Sequence, residues 1–177
     1  MNFHHITKCD MLNGAGARVV LWVAGCDHAC PGCHNRQTWD HKSGILFDGK
    51  ALDELEQALS EEFCAGLTLS GGDPLSDQNY ETCLDIARWF KETFPTKTLW
   101  VYTGYTYEQL LDLEKDEMFI YADTLVDGRF EARLKQDSLP YRGSTNQRLI
   151  YFKKDSKDLR LIDEMRLHLE HCNEEGV

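Results

Sequence analysis

Short apolar runs alternate along this chain with stretches whose apolar residues recur every three or four positions. Arg18–Val23 (RVVLWV) is apolar on both sides and predicts a buried strand. Lys50–Phe63 follows, with Leu52, Leu55, Leu59 and Phe63 on one helical stripe. Gly66–Leu69 predicts a second strand, and Asp77–Phe94 a second helix with Leu84, Ala87 and Phe90 on its inner side. Thr98–Tyr102 predicts a third strand, Tyr107–Lys115 a helix, and Phe119–Val126 a fourth strand interrupted by Asp123. Phe130–Gln136 suits a short helical turn and Arg148–Phe152 a last strand. Leu159–His171 has helical spacing through Leu159, Ile162, Met165 and Leu169, which predicts a terminal helix packed on the outside.

Strands alternating with helices imply a parallel sheet joined by right-handed crossovers. Four or five such units are too few to close an eight-stranded barrel. The expected fold is therefore α/β, a partial (βα) barrel with parallel strands, open on one side. No repeat, low-complexity tract or Pro/Gly-rich linker divides the chain. One domain over residues 1–152 is expected, with 153–177 as a helical appendage. Trp22, Trp89 and Trp100 fall on predicted core faces, while His4 and His5 read as exposed terminal residues.

The residues with unusual chemistry follow the strands. GCDHACPGCHN comes after the first, SGGDP after the second, TGY after the third and VDG after the fourth. In parallel α/β folds, sites gather at the C-terminal ends of strands, so these loops should meet on one rim. Tyr105 in TGY is expected to pack rather than react.

Cys26, Cys30 and Cys33 form C-x3-C-x2-C on a turn that contains Gly25, Pro31 and Gly32. Thiolates hold iron–sulfur clusters, and a four-iron cluster with three protein ligands keeps one iron open to a substrate or cofactor. From the triplet alone, a structural zinc site completed by His28, His34 or His41 is the rival reading. Ser70-Gly71-Gly72-Asp73-Pro74 bears on the choice. Its glycines let a ligand approach the backbone closely, and Asp73 and nearby carbonyls can accept from an ammonium group. Taken alone, this turn could equally be a helix start with Asp73 as its cap. A zinc hook needs no such turn, whereas a cluster whose open iron chelates an amino acid does.

The two motifs together resemble the radical S-adenosylmethionine superfamily, with its C-x3-C-x2-C loop and a GGE-like turn. More narrowly, Asp10, Asn13-Gly14, Gly16 and Arg18 before the cysteines, and VDGRF (Val126–Phe130) and YRGSTNQR (Tyr141–Arg148) after them, resemble the activating proteins of anaerobic ribonucleoside-triphosphate reductase. The resemblance covers roughly residues 1–150 and departs from the wider superfamily at two positions. Gly32 stands where an aromatic residue often packs on adenine, and Asp73 where Glu is commoner. His34 could supply the missing ring.

The resemblance implies a partial barrel of the radical S-adenosylmethionine type and an oxidoreductase that activates a glycyl-radical enzyme. It implies a [4Fe-4S] cluster on Cys26, Cys30 and Cys33, and S-adenosyl-L-methionine held by Gly32, Cys33, His34, Gly71, Gly72 and Asp73. No catalytic group beyond the cluster ligands is implied. The implied partners are the large subunit of the anaerobic ribonucleotide reductase, whose glycine is the substrate, and a one-electron donor such as flavodoxin. Rival readings are an activase for pyruvate formate-lyase, a small-molecule radical enzyme such as a deazaguanine-forming synthase, and a zinc-stabilised interaction module without catalysis.

Composition agrees with this picture. The chain has 7 Cys, three of them within the Cys26–Cys33 loop, an odd number that suits a metal or catalytic site in a reducing compartment better than a disulfide framework. Cys64 and Cys83 sit among apolar neighbours and read as core residues; Cys9 and Cys172 stand outside any motif. Lys plus Arg total 19 against 30 Asp plus Glu, a formal charge of −11, which argues against broad nucleic-acid or anionic-membrane binding. No apolar run approaches the ~18–20 residues that span a bilayer, and MNFHHITKCD lacks the basic and apolar parts of a secretory signal. A cytoplasmic protein is expected.

Overall fold

A computed structural model describes residues 1–152 together with His168 and Leu169. Among the described residues, eight strands form one sheet in the order β3-β1-β2-β4-β5-β6-β7-β8. They are β1 (Asn2–Asp10), β2 (Arg18–Val23), β3 (Ile45–Leu46), β4 (Gly66–Gly71), β5 (Thr98–Tyr102), β6 (Thr124–Asp127), β7 (Arg148–Tyr151) and β8 (His168–Leu169). The helices are α1 (Gly49–Leu59), α2 (Tyr80–Thr93), α3 (Tyr107–Asp112) and α4 (Met118–Tyr121), with a short 3-10 turn at Ala132–Leu134. No helix among the described residues is long and apolar enough to cross a membrane.

The central strands β2, β4, β5 and β6 are parallel, as the alternation predicts. Both flanks differ from the expectation. β1, which the sequence pattern does not reveal, pairs antiparallel with β2, and β7 pairs antiparallel with β6. The sheet is thus mixed and open. His5 lies on β1 rather than in a free terminus and stacks on Trp22 with ring centroids 5.5 Å apart.

The parallel strands are laid down in sequence order, so crossovers of one hand leave every helix on one face. Val19, Leu21, Val23, Leu67, Leu69, Leu99, Val101 and Leu125 point to that face and pack with Leu55, Leu59, Phe90, Leu110 and Met118 of the helices. Alternate residues point the other way, where Trp100, Val126 and Leu149 form a smaller cluster with Tyr102, Tyr141 and Tyr151. Trp100 therefore belongs to the second face, and Trp22 is only half-buried there, its Nε1 donating to Thr7 Oγ1 at 2.9 Å.

Three elements depart from the predicted limits. α1 ends at Leu59, leaving Phe63 60% exposed, so its buried stripe is Ala51, Leu55, Ala58 and Leu59. α2 begins at Tyr80 because Asp73–Asn79 is spent on successive turns, Ser76 N donating to Asp73 O and Asn79 N to Ser76 O. Phe119–Val126 is not one strand. Met118–Tyr121 forms a helical turn closed by Ala122 N on Met118 O, and β6 starts only at Thr124. A short apolar run carries no period that separates the two states, and burial of Met118 and Phe119 beside α2 decides it. The terminal helix expected over Leu159–His171 lies outside the described residues except at His168–Leu169, which pair antiparallel with Ile150–Tyr151.

At the N-terminal ends of the parallel strands, Arg18 is wholly buried. Its Nε donates to Thr68 Oγ1 at 2.7 Å, Nη1 to Ala15 O and Thr98 Oγ1 at 3.1 and 2.9 Å, and Nη2 to Leu67 O and Thr98 O at 2.6 and 2.7 Å. Every acceptor is neutral. Burial pulls the guanidinium down to about 10, and the Trp100 ring lies 5.5 Å from its carbon. At the opposite end, Arg148 holds the mouths of β6 and β7 together through Asp127, and reaches Glu108 of α3 at 2.8 and 3.0 Å.

Two predictions follow from these clamps. Arg18→Met leaves two threonine hydroxyls and three carbonyls short of a donor, and is expected to lower unfolding free energy by about 2–4 kcal/mol; a loss under ~1 kcal/mol in a denaturant titration would contradict the assigned role. The hydrogen bond from Arg148 holds the Glu108 carboxyl down at about 2. A carboxyl depressed in the folded state adds stability above its unfolded value of about 4.3 and loses it as pH falls towards 2. Wild-type protein should therefore lose more stability than Glu108→Gln between about pH 5 and pH 2.5, by a small margin because the pair is half exposed.

Candidate functional site

The cysteine loop leaves the C-terminal end of β2 and is fastened along its first residues. Gly25 N donates to Thr38 O at 2.7 Å and Cys26 N to Trp39 O at 3.0 Å. Asn79 turns its side chain away from the start of α2 and donates to Ala24 O and Asp73 O, both at 2.9 Å. Ala29, at φ 49°, turns the chain between Cys26 and Cys30, and Cys33 N donates to Cys30 O at 3.1 Å. All three thiols are partly exposed.

Asn35 N donates to Cys33 Sγ at 3.3 Å, and backbone N–H groups of His28 and Phe130 partly offset the effect of burial at Cys26 and Cys30. Burial nevertheless dominates at the first two. It pushes the Cys26 thiol up to about 12 and raises that of Cys30. A bare thiolate is disfavoured here, whereas one bound to iron has its charge compensated, and N–H groups on cluster sulfurs are one of the ways a protein sets the cluster's potential. The donor set fits a cluster held by three thiolates. Among the described residues, no group of three or more His, Cys, Asp and Glu side chains, the three thiols included, stands close enough together to hold a single metal ion.

The SGGDP turn lies directly against this loop. Gly72 N donates to Val23 O at 2.8 Å and Asp73 N to Gly25 O at 2.7 Å. A side chain at Gly72 is ruled out by space, since its Cβ would stand 2.3 Å from Gly25 O. Gly71 and Gly72 are half-buried, but Asp73 is only 1% exposed. Its Oδ1 accepts from Leu75 N at 2.8 Å and Thr103 Oγ1 at 3.0 Å, and its Oδ2 from Gly104 N at 2.9 Å and His28 Nε2 at 2.6 Å. The carboxylate thus faces the protein.

The histidines proposed for zinc are placed differently. His28 spends Nε2 on Asp73, and its Nδ1 accepts from Arg129 Nε at 3.2 Å. The His41 ring packs on Gly25 with Nε2 3.1 Å from Asp27 Oδ1. His34 is exposed, its ring centroid 5.9 Å from that of Phe130. Gly32 faces Phe130 and Ala132 of the loop after β6.

That loop, VDGRF, is bound to YRGSTNQR. Gln147 Nε2 donates to Gly128 O at 3.0 Å, Asn146 Nδ2 to Arg129 O at 2.8 Å, and Glu131 N to Ser144 Oγ at 3.2 Å. Tyr105, expected to pack, meets the His28 ring edge-on at 4.5 Å. The sequence reading missed Asn79, Thr103 and the role of Arg129. Thr103 and Arg129 fall inside TGY and VDGRF, just past the ends of β5 and β6, whereas Asn79 lies in the turn before α2 and carries no local signal.

Comparison with known proteins agrees with this geometry. Residues 12–150 match the family model of the 4Fe-4S single cluster domain. The chain is 46% identical over 149 residues to the anaerobic ribonucleoside-triphosphate reductase-activating protein of Enterobacteria phage T4, covering 84% of this chain and 93% of that one. It is 41% identical over 159 residues to the protein of that name from Haemophilus influenzae, covering 86% and 99%, and 39% identical over 149 residues to that of Escherichia coli K12, covering 83% and 96%. A three-thiol loop on the rim of an α/β sheet, the matching cluster domain and these relatives over most of the chain have one meaning: it belongs to the family of anaerobic ribonucleoside-triphosphate reductase-activating proteins.

Proposed function

We infer that this chain is a radical S-adenosylmethionine oxidoreductase that installs a glycyl radical on the large subunit of an anaerobic ribonucleotide reductase. The observation that carries the reading is the seating of three partly exposed thiols on a loop that is hydrogen-bonded to a half-buried glycine turn, Asp73 N donating to Gly25 O. Cys26, Cys30 and Cys33 would each hold one iron of a [4Fe-4S] cluster. When bound, the reduced cluster supplies the electron that splits S-adenosylmethionine into methionine and a 5′-deoxyadenosyl radical, which takes a hydrogen atom from the glycine Cα.

Gly71, Gly72 and Asp73 form the turn that receives the ammonium end of S-adenosylmethionine. Gly32, Cys33 and His34 flank its adenine side, with Phe130 close to both Gly32 and His34. No proton is transferred by a side chain, so no acid–base pair is needed; the chain's part is to hold, orient and shield. The helices occupy one face of the sheet, and the three thiols stand partly exposed at its rim, where a loop of a second protein can reach them. Oxygen sensitivity of an exposed cluster suits an anaerobic cytoplasm, with flavodoxin as the electron donor.

Two measurements test this. Anaerobic reconstitution with iron and sulfide should give charge-transfer absorption near 400 nm, a rough expectation for thiolate-bound iron, and Cys30→Ala should reduce S-adenosylmethionine cleavage to background while leaving the helical circular dichroism intact. Incubated with reductant, S-adenosylmethionine and the reductase, the protein should produce a doublet electron paramagnetic resonance (EPR) signal on the reductase. Cleavage retained by Cys30→Ala, or a reductase that stays silent under active cleavage, would refute the assignment.

A further inference from the structure

His28 stands between two of the cluster cysteines, yet its side chain is turned inward and only 6% exposed. Both ring nitrogens are used. Arg129 Nε can only donate, so Nδ1 is the acceptor of their 3.2 Å contact and the ring proton sits on Nε2. That proton is given to Asp73 Oδ2 at 2.6 Å. The ring is also confined by shape. Tyr105 meets it edge-on at 4.5 Å, and a Cβ at Gly104 would stand 2.3 Å from its Cδ2. One imidazole therefore registers the ends of β4 through Asp73, of β5 through Gly104 and Tyr105, and of β6 through Arg129. The same residue lies two positions from Cys26 and two from Cys30 along the loop.

Asp73, for its part, has no oxygen free. Leu75 N, Gly104 N, Thr103 Oγ1 and His28 Nε2 surround the carboxylate, and water scarcely reaches it. An incoming ammonium would have to displace a donor from a closed shell, which leaves that donor buried and unpaired. The carbonyls of the neighbouring half-buried glycines present no such obstacle.

We propose that Asp73 is a positioning residue that acts through His28 on the cysteine loop rather than a contact to S-adenosylmethionine. The Asp73–His28–Arg129 chain fixes the loop between Cys26 and Cys30. A cluster held by these cysteines would take its potential in part from that fixed loop. This inference rests on the reading of Cys26, Cys30 and Cys33 as cluster ligands.

Four variants test it, each as the full chain reconstituted anaerobically: His28→Leu, His28→Gln, Asp73→Asn and the double variant of His28→Leu with Asp73→Asn. The cluster's midpoint potential and EPR line shape are recorded first, without S-adenosylmethionine. His28→Leu and Asp73→Asn are expected to shift both in the same sense, and the double variant to match the single ones. His28→Gln should return towards wild type, since its amide can donate to Asp73 and accept from Arg129. A residue that only stabilised the fold would move neither readout. S-adenosylmethionine binding, followed by its effect on the EPR spectrum, should then weaken in His28→Leu by at least the factor seen for Asp73→Asn.

The inference is overturned if Asp73→Asn loses S-adenosylmethionine while His28→Leu keeps wild-type potential, line shape and affinity, because that is the behaviour of a carboxylate touching the ligand. Should Asp73→Asn not fold, an unaltered potential and line shape in His28→Leu are enough to overturn it. Wild-type protein that takes up no cluster overturns the functional reading itself, and this inference with it, before any variant is compared.

Discussion

Burying a carboxylate away from water is costly unless its oxygens are filled by donors, and that requirement organises the rim of this protein. Asp73 can occupy its place only if the ends of β4 and β5 and the cysteine loop arrive together, because each brings part of the donor set. The neighbouring backbone obeys the same condition. Gly72 and Asp73 donate to carbonyls of Val23 and Gly25, so the turn and the loop fold as one piece. Misplacing any one segment leaves a buried group unpaired, which gives the site a steep penalty for disorder before any cofactor is present.

The two ends of the parallel strands are built on opposite charges. Arg18 closes one end with donors aimed at neutral oxygens, and Asp73 closes the other with acceptors aimed at neutral or tautomeric donors. Neither is in an ion pair with the other. Each is satisfied locally by hydrogen bonds of defined direction, which fixes strand register more sharply than a non-directional attraction could. The helical face supplies the apolar burial and the polar ends supply the alignment.

Much of this was legible in the sequence, and the division is physical. β2, β4 and β5 were readable because strands buried on both faces are continuously apolar, and the cysteine triplet and SGGDP because their spacing is local. β1 was not, since NFHHITKCD mixes polar and apolar positions and pairs through its backbone with a strand whose register only the fold supplies. The antiparallel sense of β7 was equally hidden, as strand direction is set by the path of the connecting loop. VDGRF and YRGSTNQR stood out as motifs, but not as two halves of one hydrogen-bonded unit. The same holds for His28 and Asp73, which are 45 positions apart and meet only when three strands are side by side.

The antiparallel flanks have a consequence for size. A parallel sheet grows by adding strand–helix units at an edge, each new strand taking the direction of the last. Here that succession stops on both sides, at β1 and at β7. The parallel run is therefore four strands wide, and the loops that build the rim are flanked on both sides by strands of opposite direction.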